Sequence, residues 1–203
     1  MNIAGLRFGP IGRRAVHVAI DMQQVFAEGS EWATPATLVI APRVARIAAH
    51  APGRTIFTRF LSPNAAREAP GQWQVFYRRW ASVLAGNNDP GIFDLLPVLR
   101  PFVPPARVVD KFTHSAYEAQ GFQPALDALG ADTIILTGVE TDVCVLATAM
   151  TAIDRGLRTI LVSDAIASAS AEGHASAMTA IYPRFDQQIE VIDTATLLEA
   201  WMP

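Results

Sequence analysis

Only one cysteine, Cys144, occurs among 203 residues. A lone thiol cannot close an internal disulfide, pair in a CxxC redox motif or build a thiolate zinc site, so those three classes fall away. Charge is also sparse. Charged residues make up 17% and the formal net charge is −3, with a pI near 5.8. That balance leaves no electrostatic footprint for nucleic acid and no polybasic strip for an anionic membrane. No run of about 18 apolar residues escapes interruption by charge or proline, which argues against a spanning helix. The opening MNIAGLRFGPIGRR lacks the apolar stretch and small-residue cleavage site of a secretory leader, so a cytoplasmic location is expected. No GxGxxG follows the first apolar run, which removes the usual support for a dinucleotide-dependent oxidoreductase.

Hydrophobic residues, in contrast, reach 51%, ample for one buried core, and a small molecule is the expected ligand. Six apolar runs are bounded by turn residues: AVHVAID (15–21), RTIFTRF (54–60), ARVVDK (106–111), DTIILTG (132–138), LRTILVSD (157–164) and QIEVID (188–193). Most are rich in Val and Ile without polar alternation, as expected of strands covered on both faces. Helical patterns at 37–50, 123–129, 141–155, 168–181 and 194–201 separate most of them. The alternation predicts a single domain over 1–203, a three-layer α/β/α Rossmann-like fold with a six-stranded, mainly parallel sheet. The stretch 61–105 breaks the pattern, with seven prolines and the cluster Trp73, Phe76, Tyr77 and Trp80. It is expected to form short helices over the sheet edge or over a site.

Ligands of parallel α/β sheets collect beyond the carboxyl ends of the strands. Asp21 ends the first predicted strand, Lys111 ends the third, and Cys144 follows the fourth on the opening turn of a helix. Thr141 or Asp142 is placed to cap that helix and Gly156 to end it, and the first-turn position is expected to lower the thiol pKa. Each residue has an ordinary alternative. Cys144 could be a small buried apolar side chain, Asp21 a loop cap, and Lys111 a surface partner of Asp110. The combination is more specific, because thiol attack on an amide needs a base and a positive charge beside the thiolate.

The segments AIDMQQVF, VVDKFTHSAY and LTGVETDVCVLATAMTAIDRGLRTILVSDAIAS resemble the signature blocks of the isochorismatase-like cysteine hydrolases, which include nicotinamidases and N-carbamoylsarcosine amidohydrolase. The third block is the specific one. The resemblance implies a catalytic triad of Asp21, Lys111 and Cys144. It further implies a cis peptide between Val139 and Glu140, with the backbone N–H groups of Glu140 and Cys144 forming an oxyanion hole. A homo-oligomer, dimer or tetramer, is implied as well. The activity implied is hydrolysis of a small amide, carbamoyl or ureido C–N bond through a thioester.

Some members of that family hold a metal through an Asp and two His after the second strand. Here the segment reads TRFLSPNAAREAP, with neither, so no metal and no other cofactor is expected. Possible pocket residues are Phe26 and Trp32 after Asp21, Arg59 at a strand end, Trp73 and Tyr77 in the insert, and His114 and Tyr117 after Lys111. Three competing readings remain: vinyl-ether hydrolysis, which does not use the cysteine; a non-catalytic small-molecule binder; and a redox-sensing thiol, which would want a resolving partner.

Overall fold

The computed structural model describes residues 6–203; the first five residues of the opening segment lie outside them. Six strands form one sheet in the order β3-β2-β1-β4-β5-β6. They are β1 (Ala15–Ile20), β2 (Thr55–Phe60), β3 (Arg107–Lys111), β4 (Thr133–Val139), β5 (Arg158–Ala167) and β6 (Ile189–Ile192). Every neighbouring pair runs parallel. The central strands β1 and β4 are buried at every residue, whereas the edge strand β3 alternates between exposed and buried positions. This difference accounts for the continuous apolar runs in the sequence, since only a strand covered on both faces can dispense with polar alternation.

Helix α1 (Ala36–His50) packs on β1, β4 and β5, α2 (Trp73–Arg79) stands in the proline-rich insert, and α3 (Phe122–Ala128) precedes β4. Helix α4 (Cys144–Asp154) packs on β4 and β5, α5 (Ala171–Ser176) runs on into a π turn at Ala177–Ile181, and α6 (Thr194–Ala200) closes against α1 and β5. The insert otherwise consists of short 3-10 turns, consistent with prolines that withhold the N–H groups a longer helix needs. None of the described helices is long and apolar enough to cross a membrane.

The chain winds outward from β1 through β2 to β3, then returns to β4 on the other side of β1. The crevice beyond β1 and β4 is therefore the topological switch point, where side chains from two diverging connections can meet. Gly138 permits the close approach of these strands. Its φ is +105°, and a Cβ there would overlap the carbonyl oxygen of Ile20.

Beneath this crevice lies a buried polar trio. His17 Nδ1 is 3.2 Å from Thr55 Oγ1 and Nε2 is 2.9 Å from Thr137 Oγ1. Thr55 donates its own proton to the Ala51 carbonyl, so Nδ1–H is the donor to Thr55 and Nε2 accepts from Thr137. Burial holds the imidazole neutral, with its pKa lowered from 6.5 to about 3. Between those values the unfolded chain binds a proton that the folded chain refuses, so stability must fall as the solution is acidified. The full effect is roughly 4–5 kcal/mol, accumulated at up to about 1.4 kcal/mol per pH unit. Urea unfolding from pH 7 to pH 4 should show this slope, and His17→Gln should flatten it. Equal slopes in both proteins would assign the acid sensitivity to other groups.

Candidate active site

Asp21, Lys111 and Cys144 come together at the switch point. Asp21 follows β1 with φ +53°, the only non-glycine positive φ among the described residues. Aspartate tolerates this left-handed conformation better than most residues, and such outliers concentrate at functional positions. The turn directs its carboxylate into the crevice. Thr58 on β2 fixes the orientation, accepting from the Asp21 backbone N–H at 3.1 Å and donating to Oδ1 at 2.7 Å. Oδ2 then faces Lys111 Nζ at 2.7 Å and, among the described residues, has no partner of hydrogen-bond geometry. Both side chains are wholly buried.

Lys111 is anchored from several directions. Its ammonium donates to the Thr113 carbonyl at 3.0 Å, lies 3.5 Å from Cys144 Sγ, and stands 4.5 Å above the Phe60 ring. The ordinary expectation of a surface pair with Asp110 fails, because Asp110 points outward and accepts a bidentate interaction from Arg59. A buried ion pair of this kind contributes little net stability, yet loss of either member strands a charge and costs about 3–5 kcal/mol.

Cys144 occupies the first position of α4, at the end that favours negative charge. Two expectations about it need correction. Neither Thr141 nor Asp142 caps the helix: the cap position is Val143, with no side-chain bond. Thr141 Oγ1 instead meets His174 Nδ1 at 2.9 Å, and Asp142 accepts from the Ser168 hydroxyl. Nor is the thiol pKa lowered. It is pushed up to about 12, by burial first, with Lys111 drawing it down and the nearby Asp21 pushing it up. The raised value favours the thiol form of Cys144 at rest.

The Val139–Glu140 peptide is cis. Among the described residues, neither the Glu140 N–H nor the Cys144 N–H has a hydrogen-bond partner, while the Glu140 carbonyl accepts from Val143 and Val145. Two backbone donors in the turn that carries Cys144 are therefore unused. Tyr182 supports the loop by donating to the Thr141 carbonyl at 2.6 Å.

A cavity of about 250 Å3 opens over Cys144, a little below the usual range for ligand sites, about 300–1,000 Å3. Of the pocket residues expected from sequence, Phe26, Trp32 and His114 line it, with His114 Nδ1 3.8 Å from Sγ. Burial, aided by Lys111 and opposed by Asp21, lowers the His114 pKa. Four expected residues lie elsewhere. Arg59 is committed to Asp110 and Asp94 outside the cavity. Trp73 stands behind His114, ring centroids 4.9 Å apart, and shares a separate groove with the buried Tyr77. Tyr117 packs edge-on against Phe122, with Arg155 over its face. Their positions near the site in sequence conceal which way each backbone turns.

Sequence reasoning missed Thr58, Glu31, Val143, Ala169 and the side chain of Glu140. Thr58 is marked in sequence only as one residue of a strand, and Glu31 and Ala169 are loop positions without a motif; Glu140 and Val143 fall in the third signature block, which points to the Glu140 backbone and not to either side chain.

An isochorismatase-domain family pattern matches residues 15–196. The chain belongs to the isochorismatase family. Its sheet is shared with a cysteine hydrolase from Pseudomonas syringae pv. phaseolicola 1448A, 26% identical with a TM-score of 0.79 over 98% of both chains. The N-carbamoylsarcosine amidase of Thermoplasma acidophilum, at 22% identity and TM-score 0.69, covers 89% of this chain and 96% of its own. At that identity the likeness establishes the fold. A maleamate amidohydrolase of Pseudomonas putida KT2440 is 36% identical over 67 residues, which is 33% of this chain and 32% of the relative. The chain thus spans about a third of the length of the curated relatives it matches. These likenesses place the chain in the isochorismatase family, with a maleamate amidohydrolase among its partial relatives.

Proposed function

We propose that the protein hydrolyses a small non-peptide C–N bond, in an amide, carbamoyl or ureido group, through a thioester on Cys144. The observation that carries this reading is the buried contact set of Sγ, Lys111 Nζ and Asp21 Oδ2 at the floor of a small cavity. Asp21 Oδ2 takes the Sγ proton as the S–C bond forms, and the carbonyl electron pair moves onto oxygen. The N–H groups of Glu140 and Cys144 face that oxyanion, and donors so placed are each worth about 100-fold or more in rate. Lys111 balances the charge that passes between carboxylate and sulfur. When the oxyanion pair returns, the C–N bond breaks and the nitrogen leaves with the proton held on Asp21. Water then gives a proton to Asp21 and attacks the thioester. Collapse breaks the C–S bond, and Asp21 returns the proton to sulfur.

A metal has no obvious seat in this arrangement. The segment after β2 offers neither Asp nor His, and its Ser62 hydroxyl is committed to the Val83 carbonyl. The donor set does not fit the metal site of the family, and no step is routed through one. Vinyl-ether hydrolysis is less well supported because it leaves the thiol and its two charged neighbours without a task.

The test is an ammonia-release screen over small amides and ureides, run with a chelator and with Cys144→Ala as control. Turnover by the wild type, insensitive to chelator and absent from the control, is the expected result. Turnover that persists in the control would defeat the nucleophile assignment, and turnover abolished by the chelator would defeat metal independence.

A further inference from the structure

The wall of the cavity carries an unusual combination of groups for a substrate with an anionic end. Five aromatic rings, Phe26, Trp32, Phe60, Phe76 and Trp80, line it. Trp32 organises them, stacking on Phe26 at 5.8 Å, standing edge-on to Phe60 at 5.5 Å, and reaching Phe76 and Trp80 at 5.9 and 6.5 Å. Phe76 and Trp80 share one side of α2 and its end, so the insert folds over the crevice to complete the enclosure.

The charge on this wall has one sign. Glu31 and Glu140 line the cavity, and no lysine or arginine does. Lys111, 3.5 Å from sulfur, is fully buried and paired with Asp21. Arg79 shares the charge of Glu31 from outside, at 3.5 Å with a side chain 69% exposed, and the Ser82 hydroxyl also donates to Glu31. Glu140 is different. Its Oε1 accepts from the Ala169 N–H at 2.8 Å and the Thr34 hydroxyl at 3.3 Å, while Oε2 has no donor among the described residues. A half-buried carboxylate is thus held against an aromatic enclosure with one oxygen unengaged. The Arg79 guanidinium already lies 4.6 Å from the Trp80 ring centroid, so this ring accepts a cation on one face.

Aromatic faces attract cations most strongly where water is excluded, and aromatic enclosures beside a carboxylate suit groups that cannot donate hydrogen bonds, such as quaternary ammonium. A carboxylate-bearing substrate would meet repulsion from Glu140, and the nearby Arg79 guanidinium is already paired with Glu31 outside the cavity. We infer that the substrate is a small carboxamide bearing a permanent or protonated cation, such as an alkylpyridinium or trimethylammonium group, seated among these rings and Glu140. The inference rests on the hydrolase reading above for the amide end, and on the cavity wall for the cationic end.

Three probes separate the possibilities: 3-carbamoyl-1-methylpyridinium, its neutral isostere nicotinamide, and the anion maleamate. The expected kcat/KM of the wild type for the cation exceeds that for the neutral amide at least tenfold and that for the anion at least 100-fold. Glu140→Gln, which retains an acceptor toward Ala169 and Thr34, should shrink the cation-to-neutral ratio about tenfold, chiefly through KM. Trp32→Leu should shrink it by a similar factor. Equal or better turnover of nicotinamide or maleamate by the wild type would overturn the cation preference and leave the hydrolase reading standing. A wild type that turns over none of the three is read by calorimetry on the Cys144→Ala protein. Tighter binding of the cation there supports the substrate class while counting against the hydrolase; equal or weaker binding overturns the class.

Discussion

Cys144→Ala should lose turnover by a factor on the order of 10⁴ or more, and no acyl adduct should appear on the protein after rapid acid quench. The magnitude follows from what remains. Without sulfur, the two backbone donors and the aromatic wall can still bind and polarise an amide, but no group in the cavity can attack it. The volume lost is small and Sγ borders an existing cavity, so folding should be preserved; circular dichroism and the unfolding midpoint check this. Cys144→Ser should fare little better, because a buried hydroxyl holds its proton more tightly than the thiol does. Intact-protein mass spectrometry of quenched wild type should show the acyl increment on Cys144. Wild-type rates in either variant would remove Cys144 from the reaction.

Asp21→Asn should cost roughly 10²–10⁴-fold in kcat/KM, the span usual for loss of a general acid–base group. It should also raise the rate at which iodoacetamide alkylates Cys144 at pH 8. The two effects run in opposite directions for one reason. In the wild type the carboxylate raises the thiol pKa while Lys111 lowers it. Asparagine removes the first influence, and the ammonium left without its carboxylate can pair with a thiolate. The nucleophile is then easier to ionise but has lost the group that shuttles its proton to the leaving nitrogen. Asparagine tolerates the φ of +53° and can keep an oxygen toward Thr58, so the turn should survive. Residues that act as a unit lose activity non-additively, so the Asp21→Asn, Cys144→Ala double variant should be no slower than Cys144→Ala alone. Unchanged turnover with slower alkylation would show that Asp21 is not the base.

The strands were largely legible because burial on both faces leaves a direct trace in sequence. AVHVAI and TIILTGV are mostly apolar with no polar alternation, and they are the two central strands, buried from end to end. Helix ends were less legible. The helix read from Thr141 begins at Cys144, because Thr141 and Asp142 spend their side chains on His174 and Ser168, partners far along the chain. Likewise the helical pattern at 168–181 resolves into α5 and a π turn.

Cys144 shows where the two kinds of information divide. Its neighbours in sequence determine that it opens a helix after a strand, and the strand-end positions of Asp21 and Lys111 follow from the same reading. The alternation of strand and helix suffices for this, because local periodicity reports which faces are covered. The state of the thiol is another matter. It depends on burial and on two charges supplied by β1 and β3, and opposing effects of that kind reverse sign with small changes of distance. The cavity wall is likewise a tertiary result. Glu31, Phe76 and Glu140 come from three separate connections, and only the packing of the insert over the switch point makes them one surface.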